Sequence, residues 1–480
     1  MSFPATAIAL TVLLAGGFAA VGEVMLRRRS DGVLGWNESF LVGAGTCAAA
    51  LFPISLVLGR RALDALMILV GLCLAARVVA RVRDRSSRGR RPALPRLAWM
   101  DALLVAAIVL TAAAFTILSF RYTFSWDGFQ IYASKAKRLF HEGGLTQQWF
   151  AEDSYDRRLL EYPPLVAMYE AMLARLRGSF DFDQLKPIFP LFYFSIVVST
   201  FAAVRQRTSL RVALVTALLV GLLPEIATAQ AAGGSSDMPL AAFVAGTVAA
   251  CLRRESRRAV PFLIGSLTAV KNEGTILAIV ASGAILWYWY GYWYGYGYGY
   301  GYRTSGGLRP FRKRVKAHAA GIAVVAAYLV SRLAFLRWLD VHDPTYGPIN
   351  AANLVRAVER LGLVVRVCFR LALDPAVWGV LWPLALIASL VLSARGAKSE
   401  RTLAGALWSA IGAYTAILLF TNWDVELQAV QAYHRLLSQL APAALVAIAL
   451  SYWRMRRTFD VQFPATSATR AVMEGARVGR

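Results

Sequence analysis

Cysteine and acidic residues are both scarce in this chain of 480 residues. The four cysteines stand singly in apolar or amphipathic stretches, without the spacing of zinc ligands, at Cys47, Cys73, Cys251 and Cys368. That pattern predicts neither disulfides nor a zinc site. Asp and Glu number 28 against 52 Lys and Arg, which gives a net charge of +24. In a soluble protein so basic a balance would suggest a nucleic-acid partner.

Long apolar runs exclude the soluble alternative. Hydrophobic residues make up 58% of the chain and the mean hydropathy is +0.51. Runs of roughly 18 to 22 apolar residues recur, each long enough to cross a hydrocarbon core of ~30 Å. The sequence therefore predicts an all-α polytopic membrane protein. Its positive charge is then that of cytoplasmic loops under the positive-inside rule, and no nucleic-acid partner is expected. Without a basic n-region or a cleavage site before Arg27, the first helix is expected to be retained.

About thirteen transmembrane helices are predicted, at 4–26, 38–58, 62–80, 99–120, 186–204, 210–228, 238–252, 258–270, 275–295, 317–338, 376–394, 402–420 and 436–453. Basic clusters fall at alternate connections, which predicts an outside amino terminus and a cytoplasmic carboxyl terminus. Three regions follow from this division. They are an N-terminal three-helix membrane segment (1–98), a transmembrane core (99–457) and a disordered cytoplasmic tail (458–480).

The first large outward-facing segment spans residues 121–185. Most acids of the chain lie in outer connections, among them Asp127, Asp237 and Glu273. An acid-bearing outer face on an apolar bundle indicates chemistry at the outer membrane–water boundary.

Within this segment, "WDGFQIYASKAKRLF" (126–140) predicts an amphipathic helix on the membrane surface that ends at Gly143-Gly144. Its apolar stripe is Phe129, Ala133, Ala136 and Phe140, and its polar stripe is Gln130, Ser134, Lys137 and His141. Asp127 stands at the helix start. It can serve as an N-cap, as a general base kept ionised by the helix terminus, or as both.

A second short helix is predicted after Tyr162-Pro163-Pro164-Leu165, as a juxtamembrane element or a solvated connector. In the next outer connection Asp237 precedes Pro239 and can be a helix cap or a site residue. Lys271 and Glu273 then interrupt an apolar run. A charged pair at membrane depth is expensive and predicts a functional role, the alternative being a tight turn.

Two further sequence patterns concern cationic side chains of the kind that bind an anion. His434 and Arg435 enter the final span at its outer end, where they either face the enclosed site or snorkel to headgroups. Three of the seven lysines, Lys135, Lys137 and Lys271, lie in outer segments of a chain that otherwise uses Arg. A compact ammonium there suits a phosphate.

The order of these motifs resembles the GT-C glycosyltransferase superfamily, in particular protein O-mannosyltransferases and the aminoarabinose transferases of lipid A. The matching features are "W-D-G…K-A-K", "Y-P-P-L" with Tyr162 where many relatives have His, Asp237-x-Pro239, "K-N-E-G", and an Arg-Leu-Leu before a Pro near the last span. Many relatives carry two adjacent acids in the first loop, whereas Gly128 follows Asp127 here. The first three spans precede the usual core.

The resemblance implies a polytopic enzyme that uses a lipid-phosphate sugar, with juxtamembrane helices in its first outer loop. The predicted partners are a polyprenyl-phosphate-linked sugar donor, a lipid, glycan or protein acceptor, and membrane lipids. The predicted place is the bacterial inner membrane, with the active site facing the periplasm.

The chemistry of such a donor needs one base and fixed cations, because the departing phosphate is already a good leaving group. A single displacement would invert the anomeric centre. The predicted catalytic residues are Asp127, as base, and Asp237. The predicted substrate and phosphate contacts are Lys135, Lys137, Tyr162, Lys271, Glu273, His434 and Arg435. No cofactor is predicted, and a divalent metal shared by the two aspartates is not favoured. The alternatives are an O-antigen ligase or polymerase, a secondary transporter and a membrane scaffold.

Overall fold

The computed structural model describes residues 5–28, 32–85, 98–146, 161–226, 233–299, 309–340, 347 and 350–462, with the backbone alone at 84–85, 254, 289–299, 309–318 and 459–462. Its helices are α1 (Ala5–Leu26), α2 (Gly32–Leu58), α3 (Ala62–Arg85), α4 (Trp99–Arg121), α5 (Ser134–Glu142), α6 (Leu165–Arg177), α7 (Ile188–Arg205), α8 (Leu210–Leu222), α9 (Asp237–Leu252), α10 (Val260–Leu267), α11 (Asn272–Gly299), α12 (Arg309–Leu339), α13 (Ala351–Ala372), α14 (Pro375–Trp378), α15 (Leu381–Arg395), α16 (Lys398–Ile417) and α17 (Val425–Gln462).

Seven helical stretches of the described residues are long and apolar enough to cross a membrane, or eight if the bent pair α13–α14 and α15 is one span. One of the seven, Gly32–Arg83, contains both α2 and α3. The all-helical polytopic fold is therefore confirmed, while the number of thirteen crossings stays a prediction. The final helix extends to Gln462, and residues 463–480 of the predicted tail lie outside the described residues.

The first three helices pack on one another and on the rest of the bundle. Gly22 of α1 lies against Ser39 of α2, and Glu23 of α1 pairs with Arg77 of α3 at 3.0 Å. Helix α2 continues this layer to α6, α7, α10 and α12. The amino-terminal segment thus shares its apolar core with the helices that follow it.

Helix α9 lies at the centre of the bundle and contacts α7, α10, α17 and α2. Apart from Val248 and Cys251, its residues are all buried, because small and apolar side chains on every face let neighbouring helices approach. Its first residue, Asp237, is thereby held at the end of the bundle where the predicted outer connections meet.

The opposite end is tied together by two buried acids. Glu38 accepts hydrogen bonds from Arg28 and Ser256, and Glu400 pairs with Arg454 at 3.0 Å and with Arg207 at 3.5 Å. These residues come from alternate connections of the chain, as the spacing of the basic clusters predicts.

Three elements differ from the sequence-based expectation. Helix α13 was not predicted, because five charged side chains interrupt its apolar pattern. The span predicted at 376–394 is instead two helices, α14 and α15, separated at Gly379. Helix α15 meets the preceding pair α13–α14 at a bend of 112°. Helix α6 is not a solvated connector, since all ten residues from Leu165 to Ala174 are buried.

Candidate active site

Two loops far apart in sequence meet beside α9 and bring Asp127 close to Asp237. The backbone N–H and the hydroxyl of Ser125 both donate to the carbonyl of Gly233, at 3.0 and 2.6 Å. A Cβ on Gly128 would stand 2.0 Å from that same carbonyl oxygen, so only glycine fits there. This contact explains why Asp127 is followed by glycine and not by a second acid.

Asp127 leads into a π-helical turn, Gly128–Ala133, which continues as α5. Such turns occur often at functional sites. The N-cap interpretation of Asp127 is wrong: its backbone is already helical and its side chain caps nothing. Its carboxylate pairs with Arg435 of α17 at 2.5 Å and stays 24% exposed.

A helix is present over the predicted stretch, and it ends at Gly143, whose φ of +73° suits glycine. Its position on the membrane surface stays a prediction. The predicted faces are only partly right. Ala133 and Ala136 are buried, but Phe129 is exposed. The π-turn inserts a residue into the helical repeat, so Phe129 falls off the stripe that follows it.

Asp237 is fully buried and accepts from four side chains. Its Oδ1 accepts from Lys271 at 2.7 Å and from Gln439 at 2.6 Å. Its Oδ2 accepts from Ser235 at 3.0 Å and from Arg435 at 2.7 and 2.9 Å. The cap interpretation is wrong here too, because the side chain makes no capping bond.

One guanidinium nitrogen of Arg435 therefore contacts both carboxylates, at 2.5 Å from Asp127 and 2.7 Å from Asp237. The same nitrogen therefore bridges the two carboxylates. Across the part of the chain described here, no group of three or more His, Cys, Asp or Glu side chains gathers to hold a metal.

Lys271 and Glu273 form the predicted ion pair, 3.0 Å apart, just before and within the start of α11. The tight turn of the alternative is also present, at 268–270 between α10 and α11, and Lys271 follows it with its side chain buried against Asp237. We call Asp127, Asp237, Lys271, Glu273 and Arg435 the acid cluster. It carries three acids and two bases.

His434 directly precedes Arg435 and contacts Trp378. The indole N–H of Trp378 donates to its Nδ1 at 3.2 Å, and the two rings stack with centroids 6.1 Å apart. Trp378 belongs to α14, at the bend before α15. His434 thus links the candidate site to the bent helix pair.

Lys135 and Lys137 differ in burial on α5. Lys135 is buried and donates to the backbone carbonyl of Tyr162 at 3.0 Å, whereas Lys137 is exposed. Burial lowers the pKa of Lys135 to about 7, partly opposed by the Glu161 carboxylate and reinforced by Arg332 and Arg138. We call Lys135, Arg138, Glu161 and Arg332 the basic cluster, with three bases and one acid.

Tyr162 and Tyr132 connect the two clusters. Their rings pack edge to face with centroids 6.2 Å apart, and the Tyr132 hydroxyl hydrogen-bonds that of Ser236, next to Asp237. Sequence reasoning missed four participants. They are Tyr132, Ser235, Gln439 and Arg332. Of these, Gln439 and Arg332 carried a signal, as isolated polar residues inside apolar spans.

No family model and no curated protein matches this sequence. Among solved structures, ArnT from Cupriavidus metallidurans in its apo state is 14% identical with a TM-score of 0.49, over 76% of this chain and 62% of that one. Two oligosaccharyltransferase structures from Archaeoglobus fulgidus, one tethered to an acceptor peptide and one with Zn and sulfate, are 12% identical. Their TM-scores are 0.38 and 0.40, over 76% and 77% of this chain and 51% of theirs.

This chain thus spans less than two thirds of the length of these solved proteins. Both kinds of protein are members of the GT-C superfamily, which is the superfamily that the sequence motifs resemble.

Proposed function

We propose that this protein is a membrane glycosyltransferase that moves a sugar from a polyprenyl-phosphate donor to an acceptor hydroxyl at the outer face of the membrane. The observation that carries the proposal is the pair of unlike carboxylates on one guanidinium. Asp237 is sealed by four donor side chains, whereas Asp127 meets Arg435 and keeps part of its surface open. Of the two, only Asp127 can reach a substrate proton.

In the proposed reaction the acceptor oxygen attacks the anomeric carbon opposite the phosphate. The bond from that carbon to the phosphate oxygen breaks, and its electron pair leaves on the polyprenyl phosphate. The acceptor proton passes to Asp127, which acts as general base. One displacement of this kind gives a glycoside of inverted configuration.

Arg435 has two tasks in this scheme. Before the reaction it orients the Asp127 carboxylate through their ion pair. Once Asp127 is protonated the pair weakens, and the guanidinium is released toward the new negative charge on the leaving phosphate. Asp237, itself fixed by Lys271, limits this movement by keeping its own bonds to Arg435, so Asp237 is a positioning residue.

The experiment is sugar transfer by the purified protein in nanodiscs, from a panel of radiolabelled polyprenyl-phosphate sugars. Asp127→Asn keeps the shape of the side chain and removes the base, and we expect transfer to fall by roughly a hundredfold or more. Asp183→Asn is the matched control, since Asp183 is an exposed acid of the same loop, and it should transfer like the wild type.

Two other results would redirect the proposal. Full transfer by Asp127→Asn would remove Asp127 as the base. Transfer retained in Asp127→Asn but lost in Arg435→Gln would favour the ligase or polymerase alternative, which depends on arginine.

A further inference from the structure

The bend between α13–α14 and α15 determines how α13 lies relative to the membrane. Helix α15 is apolar and packs on α16 and α17, which both lie in stretches long and apolar enough to cross a membrane. The pair α13–α14 turns 112° away from α15, so α13 lies close to the membrane plane if α15 runs along its neighbours. Five charged side chains also disfavour a crossing by α13 itself, because a charge within the hydrocarbon is expensive.

One face of α13 attaches it to the bundle. At 3.6 residues per turn, Ala357, Val364, Cys368 and Leu371 fall on one stripe, and all four are buried. The helix packs on α17 and on the turn Leu418–Phe420 that follows α16. Helix α13 is therefore a fixed part of the fold, and its other faces have defined directions.

Two contacts place α13 at the end of the bundle that carries the acid cluster. Nη1 of Arg360 donates to the backbone carbonyl of Thr421 at 2.6 Å, in the connection that leads into α17. Beyond the other end of α13, Trp378 of α14 donates to His434, the neighbour of Arg435. The leaflet that α13 meets is therefore the one beside the candidate site.

A second face of α13 is apolar and open. Its side chains follow one another at helical spacing and are 48–74% exposed, namely Leu354, Val358, Leu361, Val365 and Phe369. Helix α15 exposes Leu384, Ile387 and Leu390 to a similar degree, as a helix does where it faces lipid tails. Because α14 joins the two helices directly, the lipid that covers α15 is also the cover that α13 meets.

The third face of α13 is charged and mainly basic. It carries Arg356, Glu359, Arg366 and Arg370, all exposed, with Leu363 beside them. Three arginines against one glutamate leave an excess of positive charge on this face. A helix with a basic face next to an apolar face is typical of the membrane interface, where the apolar side chains enter the acyl region and the basic ones meet the headgroups.

From these three faces we infer that α13 is an interfacial helix that binds anionic phospholipids of the leaflet beside the candidate site. Arg356, Arg366 and Arg370 meet the headgroups, and Phe369 lies among the acyl chains. An anionic headgroup supplies the countercharge that this face lacks, whereas a zwitterionic headgroup leaves the excess unmatched. The inference does not depend on sugar transfer, because it concerns the lipid-facing surface and not the acid cluster.

The test is photocross-linking from α13 to lipid, in the full chain reconstituted into vesicles of equal parts phosphatidylglycerol and phosphatidylcholine. Benzoylphenylalanine takes the place of Phe369, and one of the two lipids carries a radiolabel. We expect phosphatidylglycerol to be labelled roughly tenfold more than phosphatidylcholine, because each arginine near an anionic surface strengthens binding by about fivefold. The same probe at Ile387 of α15, away from the basic face, should label both lipids about equally.

Charge variants separate headgroup selection from a structural role. A triple glutamine variant of Arg356, Arg366 and Arg370 should bring the ratio at position 369 close to one, while lipid labelling persists because the apolar face is unchanged. Lysine at the same three positions should keep the preference, since attraction to an anionic surface depends on charge. The matched control replaces by glutamine three exposed arginines of the opposite end, which should leave the ratio as it was, namely Arg257, Arg258 and Arg395.

Other results would overturn the inference. Cross-links from position 369 to a second copy of the chain, or to no lipid at all, would show that the membrane does not cover the apolar face. A ratio close to one in the chain with all its arginines, or a ratio that the triple glutamine variant leaves unchanged, would show that the basic face does not select the headgroup.

Discussion

Replacing each of the two aspartates by asparagine should have unequal consequences for stability and a shared consequence for transfer. Asp237→Asn removes the negative charge at the centre of the acid cluster. Asp127→Asn removes a partly exposed charge from its edge. Both variants should lose transfer, but only Asp237→Asn should lose a large part of its folding stability.

The magnitudes follow from the contacts. Removing one partner of a buried ion pair costs about 3–5 kcal/mol, because the other charge stays buried. Lys271 still has Glu273 at 3.0 Å after the change, so we expect the lower end, about 3 kcal/mol, for Asp237→Asn. The pair of Asp127 with Arg435 is partly exposed, and its loss should cost less than about 1 kcal/mol.

The assay is unfolding of both variants and the wild type in one detergent, followed by intrinsic fluorescence during heating and during denaturant titration. Asp237→Asn should unfold several degrees earlier than Asp127→Asn and at a lower denaturant concentration. If Asp127→Asn proved as unstable as Asp237→Asn, the assignment of one sealed and one open carboxylate would be refuted.

Three further outcomes are expected. Gly128→Ala should unfold or lose transfer, because its Cβ would collide with the carbonyl of Gly233. Gly71→Ala on α3 is the control, since a Cβ there meets open space. Equal behaviour of the two variants would contradict the contact. Burial lowers the pKa of Lys135 to about 7, so its ammonium loses its charge above that pH. The affinity for a prenyl-phosphate sugar, a phosphodiester, should therefore be full below pH about 7 and fall above it. Lys135→Met, titrated over the same range of pH, should show no such fall. Glu400→Gln should lower thermal stability without altering the KM of transfer, because Glu400 ties helices together at the far end, and a raised KM would contradict that separation.

The outer acids and bases could be picked out from the sequence as candidate site residues because each stands against an apolar background. Asp237 lies in a Gly/Ser-rich connection before Pro239, and Lys271 interrupts an apolar run. An unneutralised charge is expensive at such a depth, so its presence alone predicts a partner. The partner of Asp237 on the last helix was also within reach of sequence reasoning, since Arg435 sits at the outer end of that span.

What the sequence could not provide is which side chains share a face after the π-turn and which distant helices meet. Lys135 and Lys137 look alike in sequence, yet only Lys135 is buried beside Tyr162, because the π-turn sets the rotation of α5. Arg332 is one of two arginines, with Arg337, in an apolar span, where snorkelling is the ordinary expectation. Its burial depends on α2, about 280 residues earlier in the chain.

The separation of charge between the two clusters gives the proposed reaction its direction. In the proposed reaction the open member of the acid cluster, Asp127, accepts the proton, while Arg435 and the bases of the neighbouring cluster stabilise the negative charge on the leaving phosphate. Because the interior amplifies electrostatic interactions, this arrangement lowers the energy of negative charge moving from the acceptor oxygen toward the phosphate. Asn272, Tyr132 and Tyr162 hold the clusters at a fixed spacing without adding charge to either. The buried helices α9 and α6 pack behind them, and such support for a fixed spacing is what a preorganised site requires.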